Sequence, residues 1–498
     1  MNVNPITRLD YPDPDVIRVE DTYYMISTTM HFMPGCEILQ SFDLVHWEHV
    51  TYVYETLDHT DAQQLKSGQN IYGQGMWAAS LRYHEGRFWI CFVANDTRKT
   101  YLYTSEKIDG PWKKQLIEGF YHDGSLLFDE DGRNYIVYGN DEIWITELNE
   151  DLTAPKKDGL HRLLVSDHKN PELGYEGSHI QKINGYYYIF LVHSLRDRWM
   201  RTEACFYSDS LEGEFTGGDV LCDDRGYCGQ GVAQGGIVDT PDGKWYAMLF
   251  QDSGAVGRLP ILLPVTWKDH FPFFGQNGHV PEEIEVHSTR PGYIYQPLVG
   301  SDDFCNGLLP RWQFNHDPDP RYYHLDALQG TYTITTREVC TELTQAVNTL
   351  TQRMSYPSCA AEVTVDASAL KEGDVAGLCA LQGCYAAVGI TKHHGKYEVL
   401  MLDKKEDGIL DMTEGTVVES HQMDFRLEAD FCNMKDEARC YYRVNKGDWL
   451  PIGTVHKLYF KLDHFTGCRF GLFCYAAEET GGSACFRDFK YYDVDEIS

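Results

Sequence analysis

Three acidic residues stand at matching places in a chain that repeats itself. Asp13 (in Pro12-Asp13-Pro14-Asp15), Asp123 (in His122-Asp123-Gly124-Ser125) and Glu176 (in Glu176-Gly177-Ser178-His179) each precede an alternating apolar run that reads as the first strand of a β-hairpin. Carboxyl groups gathered in one pocket cannot all ionise freely. Burial and mutual repulsion raise at least one pKa and divide the set into an acid and a base. Glycoside hydrolysis uses that division: one carboxyl protonates the leaving oxygen, one carboxylate activates water, and a third can orient the acid and keep its proton on. Taken singly, each residue has a plainer explanation: a turn residue beside Pro14, an Asx turn before Gly124, a loop acid. Their equivalence across repeats is what favours chemistry.

The positioning elements are five copies of one hairpin. In the first, within Leu9 to Ile26, an acidic cluster leads into an alternating apolar run, a Glu20-Asp21 turn and a second apolar run. In the others Trp77, Asp123, Glu176 and Gln234 each lie nine positions before a turn glycine (Gly86, Gly132, Gly185, Gly243), and the turns recur at intervals of 46 to 65 residues. That spacing leaves room for two further strands after each hairpin, as in a four-stranded propeller blade. A five-bladed β-propeller over residues 1–295 is expected, in preference to a sandwich with coincidental hairpins. The first strands of its blades would line a central channel, and their mouth-side ends would bring Asp13, Asp123 and Glu176 to one rim. Past Arg290-Pro291-Gly292 the pattern changes. Gly330–Thr335, Ala361–Val365 and Lys457–Leu462 alternate like half-exposed strands, and residues 300–498 read as an antiparallel β-sandwich. The fold class is all-β.

Composition narrows the partners. A formal net charge of −32 over 498 residues, with no block of Lys or Arg, argues against nucleic acid and anionic membranes and for a neutral substrate. Thirty-three tyrosines and ten tryptophans suit both β structure and stacking on sugar rings. The 15 cysteines lack metal-ligand spacing, and apolar neighbours (Phe473-Cys474-Tyr475) mark them as buried thiols of a reducing compartment. With no leader-like N-terminus and no run of about 20 apolar residues, a cytoplasmic location is expected.

These motifs carry a resemblance. Pro12-Asp13-Pro14-Asp15 with Tyr23-Tyr24, His122-Asp123-Gly124-Ser125-Leu126 and Glu176-Gly177-Ser178-His179 resemble the three signature blocks of glycoside hydrolase family 43; Met33-Pro34-Gly35, Ser41-Phe42-Asp43-Leu44 and Trp77-Ala78 agree. Ser301-Asp302-Asp303-Phe304 and Trp312-Gln313-Phe314 resemble the concanavalin-like sandwich of its β-xylosidase branch. The resemblance implies an inverting exo-glycosidase, a β-xylosidase and/or α-L-arabinofuranosidase acting on xylo- or arabino-oligosaccharides. It makes Asp13 the general base, Glu176 the general acid and Asp123 the residue that tunes the acid. It places Arg258, Phe32 and Trp77 in the sugar pocket, with His31 and His179 as wall residues. Two departures stand out: Ala79 replaces a frequent proline, and Gln234 stands where many members carry a histidine associated with a channel metal. A glutamine carbonyl suits calcium better than a softer cation, so calcium is the ion left open here, while the acid–base chemistry requires no cofactor. Two alternatives remain: a retaining, fructosidase-like propeller enzyme, and a carbohydrate-binding protein without turnover. A homo-oligomer is compatible with the sequence.

Overall fold

The computed structural model describes residues 4–493; residues 1–3 and 494–498, at the outer ends of the two expected domains, lie outside the described residues. Five four-stranded antiparallel sheets, each taking its strands in chain order, form a propeller. Their inner strands are Asp15–Val19, Met76–His84, Ser125–Phe128, Glu176–Ile183 and Val232–Asp239. All five expected hairpins are present.

The alternation that marks each strand has a direct use. Each sheet buries both faces, so residues of opposite parity pack against different neighbours. Between blades one and two lie Ile38, Leu81 and Phe92; between two and three, Leu102, Leu126 and Ile136; between three and four, Val137, Ile180 and Ile189. Phe190, Ile237 and Ile261 fill the next layer, and Val16, Met25, Tyr246 and Met248 close the ring between blades five and one. The N-terminal segment ties that closure, with Ile6 N–H donating to Pro260 O at 3.1 Å and Tyr11 N–H to Arg258 O at 3.0 Å.

The second body is a sandwich of two antiparallel sheets around one apolar core. One sheet holds Leu350–Arg353, Arg469–Tyr475, Val375–Leu381 and Ala386–His393; the other holds Thr331–Thr335, Ser483–Asp493, Ser358–Asp366 and Gln422–Asp430. Two of the three expected sandwich strands are therefore present. The third is corrected: the strand Leu450–Lys457 ends where Lys457–Leu462 was expected to begin. Leu458 still drops into the sandwich core, but the chain then leaves the sheet as a loop toward the propeller. Its apolar alternation comes from side chains shared between two bodies.

The bodies share a sheet. Phe32–Met33, between the second and third strands of blade one, pairs with Gln313–Asn315 and so extends the sandwich. Beneath this seam Arg353 donates to Glu37 at 2.8 Å, stacks on Tyr11 at 4.1 Å and donates to Asp10 O at 3.0 Å. Glu37 and Arg353 are buried, 3% and 5% exposed. Burial alone would raise the Glu37 pKa, yet Arg353 and His49 pull it down to about 2.

Candidate active site

The three acids converge at one end of the channel. Asp13 and Asp123 lie just before the regular pairing of their inner strands and adopt left-handed backbones, φ 51° and 48°. Asp tolerates that region better than most residues, at some cost in strain. Glu176 begins its strand and is followed by a bulge, since Glu176 faces Val192 while His179 faces Phe190. Such a bulge re-aims side chains at a strand end. Gly177 sits in it at φ 67°, and an added Cβ would lie 2.7 Å from Gln234 Cγ.

Each acid has its own partners. Asp13 accepts from Arg258 Nη1 at 3.0 Å and from Thr28 Oγ1 at 2.5 Å. Asp123 accepts the Gly177 N–H at 2.9 Å, which clamps the peptide carrying Glu176. Asn140 Nδ2 donates to Glu176 Oε2 at 2.8 Å. His122 reaches both, with Nε2 3.5 Å from Asp123 Oδ2 and 3.5 Å from Glu176 Oε2. Burial first, then the charges of Glu176 and Asp13, raises the Asp123 pKa to about 6, against the opposing pull of His122 and of the Gly177 N–H. Asp123 and Asp13 are 6% and 5% exposed, while Glu176 is more open.

Arg258 is 3% exposed, and its Nε and Nη2 have no hydrogen-bond partner among the described residues. Its guanidinium lies 4.6 Å from the ring centre of Phe465, 5.2 Å from Phe250 and 5.9 Å from Phe460. A buried cation with unspent donors beside Asp13 is equipped to bind sugar hydroxyls. Phe460 and Phe465 belong to the loop that leaves the sandwich, and Phe465 also packs on Trp77 at 5.5 Å. Asp10 joins the two sides: it accepts the N–H of Arg258 at 2.7 Å and of Gly467 at 2.8 Å. Gly467 is needed there, because a Cβ would meet Val256 O at 2.2 Å.

Of the expected pocket residues, Arg258 and Trp77 stand beside the acids. Phe32 is corrected. It has no exposed surface, because its strand is paired into the sandwich sheet and Arg469 stacks on its ring at 3.4 Å. It backs the wall. His31 stacks on Phe32 at 4.3 Å and is buried with His316 and His464 at the seam. His179 lies beneath the floor, its Nδ1 2.9 Å from Gly177 O. Ala79 pairs with Phe92 in the strand.

Sequence reasoning assigned nothing to Phe460, Phe465, Asn140 or His122. The aromatic run Tyr459-Phe460 alternates as a strand would, and His122 sits inside a motif whose sequence shows no partner for it.

The surroundings of Gln234 do not form a calcium set. Its N–H donates to Glu203 Oε2 at 2.7 Å, and its side chain packs on Gly177. Glu203 is fully buried, and burial pushes its pKa well above its ordinary value. Asp15, the next carboxylate along the channel, is spent on Arg82 at 2.8 Å and on the Leu81 N–H at 2.7 Å. Arg82 itself crosses the channel to Ser125 Oγ at 2.7 Å and Ile180 O at 3.2 Å, a cation where a second would be repelled. No step below runs through a metal.

Known proteins resemble this chain in sequence and fold. The chain is 27% identical to a β-xylosidase of Formosa agariphila over 99% of its own length and 89% of that protein's. A solved bifunctional GH43-CE protein of Bacteroides eggerthii superposes with a TM-score of 0.92 at 42% identity; 98% of this chain spans 63% of that longer one. An engineered GH43 glycoside hydrolase described as displaying endo-xylanase and exo-arabinofuranosidase activity superposes with a TM-score of 0.86 at 27% identity, over 99% of both chains. The β-xylosidase C-terminal concanavalin A-like domain matches residues 301–492, and glycosyl hydrolases family 43 matches residues 3–272. A propeller rim carrying three acids, with a concanavalin-like sandwich at its side, thus places this chain in glycosyl hydrolases family 43.

Proposed function

We propose that the chain is an inverting exo-pentosidase that releases xylose and/or arabinose from the ends of xylo- or arabino-oligosaccharides. The observation that carries this reading is the opposite equipment of Asp13 and Glu176. Both oxygens of Asp13 accept hydrogen bonds, from Arg258 and Thr28, so it meets water as an acceptor, the form a base requires. Glu176 takes the Asn140 amide on Oε2 and stands beside His122 and Asp123, a setting for a proton donor. Asp123 acts through the Gly177 peptide: it fixes the direction of the acid.

In the reaction Asp13 removes a proton from water as the water oxygen bonds the anomeric carbon. The glycosidic bond breaks, and Glu176 protonates the departing oxygen. Arg258 holds Asp13 in place and offers its remaining donors to sugar hydroxyls. Trp77 and Phe465 present ring faces to the apolar side of a pentose. Phe460 and Phe465 close one side of the pocket, which favours chain ends over chain interiors. The β-xylosidase and exo-arabinofuranosidase descriptions of the relatives above support the pentose assignment. We place the activity in the cytoplasm, where thiols such as Cys91, Cys379 and Cys474, buried and unpaired, would stay reduced.

Proton NMR of the first sugar released from nitrophenyl β-xyloside and nitrophenyl α-arabinofuranoside tests the reading. The expected product has the inverted anomeric configuration on at least one of the two. Retention would point to the fructosidase-like alternative, and binding without release would point to a lectin-like role.

A further inference from the structure

The repeat that brings the acids together also repeats an arginine. Arg258 opens the third strand of blade five, opposite Asp252, and reaches Asp13 of the next blade. Arg201 opens the third strand of blade four, opposite Ser194, and reaches Asp252 of the next blade, its Nε donating at 2.9 Å. Both guanidiniums lie against one ring: Arg258 stands 5.2 Å and Arg201 5.3 Å from the centre of Phe250. Arg201 is 7% exposed, and among the described residues its Nη1 and Nη2 donate no hydrogen bond. The charges of Asp252, Glu176 and Asp13 all reach it and favour its cationic form. A guanidinium anchored through Nε, with both Nη groups unspent, is a donor fork set for a ligand.

Its place on the rim decides which part of a ligand it meets. Glu176 faces Val192, two residues before the second strand of blade four ends at Ser194. Residues 195–200 then turn over that end, and Arg201 begins the third strand, so the turn and the acid share one rim of one blade. In the reaction proposed above, Arg258 stands beside the base and Glu176 faces the leaving oxygen. Arg201, on the acid's blade and across Phe250 from Arg258, therefore belongs to the leaving side. The same turn carries Trp199, 44% exposed, with the Arg201 guanidinium 5.2 Å from its ring centre. An open indole backed by a fixed cation offers a flat apolar face to a sugar ring. The other cations of the turn are already paired, Arg196 with Asp167 and Arg198 with Asp197 at 3.1 Å. With Arg201 balanced by Asp252, the turn has no excess charge, which suits a neutral sugar and not an acidic one.

We infer that Trp199 and Arg201 form the subsite for the sugar on the leaving side of the scissile bond, Trp199 by stacking on its ring and Arg201 by donating from Nη1 and Nη2 to its hydroxyls. The inference rests on Glu176 as the acid and on the pentosidase reading. It makes blade four the element that selects what the released pentose was attached to, while Arg258, Trp77 and Phe465 select the pentose itself.

The test compares xylobiose, which places a sugar in this subsite, with β-xylosyl fluoride, which places none; for an arabinose-releasing enzyme the arabinose counterparts are used. The readout is the ratio of kcat/KM for disaccharide over fluoride. Trp199→Ala should lower that ratio by about three- to tenfold. Arg201→Lys, which keeps a cation facing Asp252 but loses the planar fork, should lower it by about tenfold or more. A ratio that stays at the wild-type value in both variants overturns the subsite, whether the two substrates keep their rates or lose them together, since loss on both is what a merely structural role would give. Trp199 is exposed, so its variant reads the subsite even if Arg201→Lys does not fold. A wild type that hydrolyses neither substrate sinks the pentosidase reading, and the subsite is then decided by calorimetry on Glu176→Gln. Xylobiose must bind more tightly than xylose, and Trp199→Ala in that background must bring the two affinities together; equal affinities at the outset, or a difference that survives the substitution, overturn it.

Discussion

The two sides of the pocket are built by different means. The propeller side is a repeat: five hairpins of one pattern deliver Asp13, Asp123 and Glu176 to one rim because their blades are equivalent. The sandwich side is a single loop, residues 458–468, with no internal copy, and it supplies Phe460 and Phe465 across a seam stapled by Asp10, Gly467 and the buried Glu37–Arg353 pair. In the function proposed above, chemistry rests on the repeated side, whose strand ends are fixed on both flanks by neighbouring blades. Pocket shape rests on the unrepeated side, where one contact that fails has no second copy. Substitutions on the first side should therefore abolish turnover with the fold intact, and those on the second should loosen the molecule or weaken substrate binding.

The largest effect is expected from Asp13→Ala. Loss of a general base should lower kcat on xylobiose by about 10²–10⁴-fold, with a melting temperature close to wild type; a loss below tenfold would remove Asp13 from the mechanism. Next is Arg353→Ala, which strands the buried Glu37 carboxylate and should cost about 3–5 kcal/mol of unfolding free energy, read by urea denaturation. The same pair fixes an acid limit. The folded pKa of Glu37, about 2, lies below the 4.5 of an unperturbed glutamate, so its contribution is complete above pH 4.5 and is lost as pH falls toward 2. Arg353→Ala should flatten that part of the stability–pH curve.

Gly467→Ala tests the staple. A Cβ 2.2 Å from Val256 O and 2.7 Å from Asp10 Cβ forces the loop away, at about 1–3 kcal/mol of overpacking, and kcat/KM should fall with it because Asp10 also holds the Arg258 backbone. Phe465→Ala should raise KM more than it lowers kcat, for a loss of about 0.5–1.5 kcal/mol in kcat/KM. The smallest change is expected from Phe32→Leu, which alters a buried backing residue: less than about threefold in KM and about 1 kcal/mol in stability. A large KM effect there would reopen its case as a sugar contact.

The sequence alone determined the repeated half of this protein. Strand alternation and turn chemistry are local, and equivalence between blades follows from counting residues, so Asp13, Asp123 and Glu176 could be brought together before any coordinates were known. Arg258 and Trp77 followed from motif likeness. The tertiary structure alone decided the rest. Phe32 lies in a run that reads the same whether it faces a sugar or a second sheet, and pairing with Gln313–Asn315 settles that it is buried. Residues 457–462 alternate as a strand would, but their apolar side chains divide between the sandwich core and the propeller mouth. His122 stood in plain view beside Asp123, while its second partner, Glu176, belongs to the next blade. Periodicity records that a side chain is buried; which body buries it depends on how two separately folded sheets meet.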